Sequence, residues 1–81
     1  MKKVFINLIE KFVTPNHPKI KSYDVYTLGA DEYQMFVVRI KSYYDLSKDE
    51  KMKIRDDIFT VFSSLGLPKT SDFMVTYVKL N

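Results

Sequence analysis

Few side chains in this sequence are of types that carry chemistry, and most of them fall where structure alone would put them. The sole histidine, His17, sits between Pro15 and Pro18. A general base needs an orienting partner and a nucleophile within reach. Nothing adjacent in sequence supplies either, so the expectation is a solvated loop histidine. The paired carboxylates are Asp31-Glu32 in a turn, Asp49-Glu50 at the start of a helix, and Asp56-Asp57 on that helix's polar face. Neighbours on a helix point about 100° apart, so they do not make a proton-sharing dyad. With one histidine and no cysteine, a metal site would rest on carboxylates, and none has calcium-loop spacing. Gly29 and Gly66 alone cannot build G-x-G-x-x-G or G-K-[ST]. The expectation is a non-enzymatic protein with no cofactor, no metal and no small-molecule substrate.

The remaining chemistry lies on one stretch, Glu32 to Tyr44, EYQMFVVRIKSYY. Side chains on a strand alternate between faces. Gln34, Phe36, Val38, Ile40 and Ser42 form one set, apolar at its centre and suited to a core. Tyr33, Met35, Val37, Arg39, Lys41 and Tyr43 form the other, which begins apolar and ends basic and aromatic. A one-sided sheet should show polar residues outward, so this second set is the suspicious surface. Tyrosine, methionine and arginine are enriched at interface cores. An apolar patch left in water also asks for a cover, and an isologous dimer, sheet on sheet, is the simplest one. The expected partner-binding residues are Tyr33, Met35, Val37, Arg39, Lys41, Tyr43, Val75 and Tyr77, with another protein or a second copy as partner. The alternative is single-stranded nucleic acid, whose bases stack on aromatic sheet faces and whose phosphates meet cations. The RNP motifs of RNA-recognition folds and the GXXG of KH domains are absent. Lys48, Lys51 and Arg55 add a basic rim, read most simply as a solvated flank with stems over Met52 and Phe59.

Composition sets the frame for these elements. The chain has 81 residues, 46% hydrophobic and 28% charged, with net charge +3. That is a single globular domain over 1–81, neither disordered nor basic enough for a dedicated duplex binder. The lack of cysteine excludes a disulfide framework and fits a reducing compartment. Met1-Lys2-Lys3 precedes an apolar run that stops at Ile9 before Glu10-Lys11, which is too short for a signal peptide. No run approaches the ~20 apolar residues of a membrane span. A soluble, cytoplasmic protein without a membrane partner is expected.

Five elements must position the suspicious face. Val4, Phe5, Leu8, Ile9, Phe12 and Val13 recur at helical spacing over 2–13. The segment Thr14–Pro18 breaks that helix. Ile20–Thr27 reads as a strand, followed by a hairpin loop Leu28-Gly29-Ala30-Asp31 with Gly29 free to take a positive φ. Asp45–Gly66 is the clearest helix, with a capping box Ser47-x-x-Glu50 and a stripe of Ile54, Ile58, Val61, Phe62 and Leu65. Phe73–Leu80 is the last strand. The order is α-β-β-α-β. The expected fold is α+β: a three-stranded, mainly antiparallel sheet, numbered along the chain in order 2-1-3, with two helices packed on one face. The alternative places the third strand beside the second, parallel to it.

Overall fold

A computed structural model describes residues 2–30, 33–68 and 70–81, with Ala30 and Tyr33 described by their backbone alone. Helix α1 (Lys2–Phe12) leads through a 3-10 turn (Thr14–Asn16) to strand β1 (Ser22–Ala30). Strand β2 (Tyr33–Ser42), helix α2 (Lys48–Ser63) and strand β3 (Asp72–Lys79) follow. The expected α-β-β-α-β order and α+β class are what the chain adopts. The acidic pair Asp31-Glu32, and with it the end of the expected hairpin loop, lies outside the described residues.

Helix α1 buries a narrower stripe than its sequence suggests. Phe5, Ile9 and Val13 are fully buried at four-residue spacing, while Val4 and Phe12 stay half exposed. Two side chains satisfy the last carbonyls, which a helix end leaves without intrahelical partners. Thr14 Oγ1 donates to the Glu10 carbonyl at 3.2 Å, and Asn16 Nδ2 to that of Phe12 at 3.0 Å. Helix α2 starts at the expected capping box. Ser47 Oγ accepts from the Glu50 N–H at 3.1 Å, and Glu50 Oε1 accepts from the Ser47 N–H at 3.0 Å. Past its end, Gly66 takes φ 65°, and Pro68 prevents continuation.

The strand order is β1-β2-β3, with β1 antiparallel and β3 parallel to β2. This is the alternative arrangement, not the 2-1-3 order. The physical reason is twofold. Strand β2 is the longest and holds the continuous apolar run Met35-Phe36-Val37-Val38, and the central place is the one that pairs both of its edges. The α2 crossover then returns the chain parallel to β2 and beside it, the normal β-α-β connection. Gly29 takes φ 104° within β1, opposite Gln34.

Both helices cover one face of the sheet. Phe5, Ile9 and Val13 from the first helical region meet Val25, Phe36, Val38 and Ile40 from the sheet and Ile54, Ile58 and Val61 from α2 in one cluster. Phe5, Phe36 and Phe62 meet edge to face with centroids 5.6–6.0 Å apart, a geometry that favours aromatic rings beyond simple burial. At the end of β2 the buried Ser42 hydroxyl donates to the Lys19 carbonyl at 2.7 Å and accepts from the Tyr44 N–H at 3.0 Å.

Candidate functional site: the uncovered sheet face

The register of the three strands builds the opposite face column by column. Val37 of β2 stands between Tyr26 of β1 and Met74 of β3, Met35 between Leu28 and Asp72, Arg39 between Asp24 and Thr76, and Lys41 between Ser22 and Val78. Among the described residues no helix lies over these columns. Val37 is nevertheless only 1% exposed. Its cover is lateral, from the larger side chains of the flanking strands. Those neighbours carry the exposure instead: Leu28 53%, Met74 45%, Tyr26 39% and Val78 39%.

At one end the face turns polar. Asp24 Oδ2 accepts from Arg39 at 2.8 Å and lies 3.0 Å from Lys41 Nζ. Hydrogen bonds from Arg39 and then Lys41 hold the Asp24 carboxyl below its ordinary range, and the same Asp24 contact raises the Arg39 guanidinium further. Arg39 Nε is buried without a partner among the described residues, and the guanidinium reaches Asp24 through Nη2. With Asp72, the described residues give this face two cations and two carboxylates.

The expected site residues divide as follows. Met35, Val37, Arg39 and Lys41 come together on this face, and Tyr43 lies exposed just beyond the end of β2. The Tyr33 side chain lies outside what is described. Val75 and Tyr77 are not on this surface. Val75 pairs with Val38 and Tyr77 with Ile40, so both point toward the helices and pack against the core. The two alternating sets of β3 are equally apolar, and only the register with β2 decides which turns inward. Tyr77 also donates to the Lys51 carbonyl at 2.8 Å. Met74 and Val78 occupy the open face in their stead, joined by Tyr26 and Leu28. The period-two set Asp24, Tyr26, Leu28 was the signal for the last two.

Two further expectations change. His17 is not a solvated loop residue: its Nε2 lies 2.6 Å from Asp57 Oδ2, with only 15% of its side chain exposed. It ties the connector to α2, which explains both the histidine and one member of the Asp56-Asp57 pair structurally. The basic rim is also more than a flank. Arg55 sits over the Phe73 ring at 5.4 Å and Lys51 over the Tyr77 ring at 5.2 Å, so these stems reach β3, while Met52 and Phe59 remain half exposed. Among the described residues no group of three or more histidine, aspartate or glutamate side chains converges on a metal position, and no helix is long and apolar enough to cross a membrane.

No family model matches the chain, and no curated protein resembles it closely enough to count as a relative. Solved structures do resemble it. A MamB CTD, a magnetosome protein of Desulfamplus magnetovallimortis BW-1, superposes with a TM-score of 0.67 at 14% identity, over 95% of this chain and 94% of that one. A doubly substituted MamM-CTD gives 0.55 at 8% identity, over 99% and 95%. At these identities the likeness shows a shared fold across nearly the whole chain, and nothing further.

Proposed function

We propose that this chain is a non-enzymatic protein-interaction module whose working surface is the uncovered sheet face, and that it uses this face to pair with a second copy of itself. The observation that carries the reading is the exposed band of Tyr26, Leu28, Met74 and Val78 around the buried Val37. Apolar groups of this size gain roughly 1.5–3 kcal/mol each on full burial, and a second layer packed about 10 Å away would provide it. Charge favours self-pairing. A two-fold axis through the face lets Asp24 of one copy approach Arg39 and Lys41 of the other.

The same charges weigh against nucleic acid. Arg39 and Lys41 are both engaged by Asp24, so few free cations face outward where phosphates would lie. Met35→Asp tests the interface directly, read by light scattering on a sizing column with circular dichroism alongside. Loss of the dimer with the fold intact supports the proposal. Outright unfolding would assign Met35 to the core, and an unchanged dimer would place the interface elsewhere. Salt-sensitive binding of pooled single-stranded oligonucleotides would favour the alternative.

A further inference from the structure

We infer that the groove between α2 and the free edge of β3 receives an extended acidic peptide from a partner protein, which adds to the sheet as a fourth strand. The groove adjoins the open face, sharing Met35 and Met74 with it, but the strand-pairing edge and the α2 cations that define it take no part in the proposed pairing of copies, so the two are tested separately.

Strand β3 ends the sheet, and the direction of its backbone groups can be worked out from two contacts. The Leu80 N–H reaches inward to the Ser42 carbonyl at 2.7 Å. The Phe73 N–H is instead taken by its neighbour's carboxylate, Asp72 Oδ1, at 2.8 Å. Backbone groups alternate sideways along a strand, so the even residues pair with β2 and the odd ones face out. The N–H groups of Val75, Tyr77 and Lys79 therefore form an outward row with a repeat of about 6.8 Å, ready for pairing. Asp72 already blunts the first position, which sets where an added strand would begin.

Beside this edge runs a groove of about 430 Å3, floored by Phe73, Val75 and Tyr77 and walled by Lys48, Lys51 and Arg55. The three cations recur at i, i+3 and i+7 on α2, so they line one side of the helix along the strand. Lys51 and Arg55 are steadied over the Tyr77 and Phe73 rings. None of the three forms an ion pair among the described residues. Among the described residues Asp72 is the one carboxylate in the lining. Three cations against one carboxylate select an acidic occupant, and the unpaired edge selects an extended one. A second copy of this chain is disfavoured here, because its own three cations would meet these. The alternating side chains of an added strand would place carboxylates on the helix side, beside Lys51 and Arg55, and apolar groups on the opposite face, beside Met74 and Val78.

The test titrates the full chain with a fluorescent eight-residue peptide alternating glutamate and valine, read by anisotropy at low salt and by amide exchange. Binding is expected, with new exchange protection at the N–H groups of Val75, Tyr77 and Lys79. Lys51→Glu with Arg55→Glu should weaken it about tenfold or more, and Arg55→Gln alone by about threefold if the double variant does not fold. A peptide with alternate backbone nitrogens methylated should not bind. The inference is overturned by any of three results: absence of binding, equal binding of a lysine-valine peptide, or binding without protection along β3. Competition at equal strength by a single-stranded oligonucleotide would likewise overturn it in favour of a phosphate ligand.

Discussion

Ile58→Ala probes the packing on which both surfaces depend. Ile58 is fully buried on α2, one turn from Ile54 and close to Val61, in the cluster that joins both helices to β2. The substitution removes three carbons, worth about 2.4 kcal/mol at ~0.8 kcal/mol per methylene. A residual cavity of about 60 Å3 adds about 1.4 kcal/mol at roughly 24 cal/mol per Å3. Alanine's better helix propensity returns a few tenths of a kcal/mol, roughly. The expected loss is therefore about 2–5 kcal/mol. A domain of this length holds roughly 4–12 kcal/mol in total, so the variant should lie close to its unfolding transition. Urea melts measure it, with Phe59→Ala as the control on the next position of the same helix. Phe59 is 53% exposed, and its removal should cost about 1 kcal/mol or less. A loss under about 1 kcal/mol at Ile58, or equal losses at both positions, would refute the assignment of the inner face of α2.

Three further outcomes follow from local contacts. Ser47→Ala should cost about 1 kcal/mol in a urea melt, because the Glu50 N–H loses its acceptor. Glu50 is held down to about 2, first by its hydrogen bond with Lys19 and then by the Ser47 backbone. A depressed carboxylate contributes stability that is complete above its unfolded value and vanishes as pH falls through the folded one. Glu50→Gln should thus lower the melting temperature at neutral pH, and the gap from wild type should close between about pH 4.5 and about pH 2. Asp24→Asn should release Arg39 and Lys41 and raise the affinity for single-stranded oligonucleotides at low salt, an increase that added salt should abolish.

The elements were legible in the sequence where one pattern dominates. The capping box at Ser47 and Glu50 located the start of α2, and the alternation through Phe36, Val38 and Ile40 identified the inner face of β2. What failed depended on partners rather than on local pattern. Strand β3 is apolar on both faces, so its orientation follows only from the pairing of Phe73 with Phe36. That pairing moved Val75 and Tyr77 inward and brought Met74 and Val78 out. Val37 belongs to the open face as its parity requires, yet it is buried, because a central strand is shielded by both neighbours. The His17–Asp57 contact joins residues 40 positions apart, a separation over which no spacing rule operates. The placement of Lys51 and Arg55 over β3 rings follows the crossover that sets β3 directly beside β2, where the 2-1-3 order would have put β1 between them.

The claim that the open sheet face pairs with a second copy is tested most directly by nuclear Overhauser contacts between copies, in an equal mixture of isotope-labelled and unlabelled protein. The account predicts contacts between copies from the methyl groups of Leu28, Val37, Met74 and Val78 to side chains of this same face, Tyr26 among them, and none from Ile54 or Ile58. Contacts confined to the helix side, or a chain that remains monomeric at millimolar concentration, would contradict it.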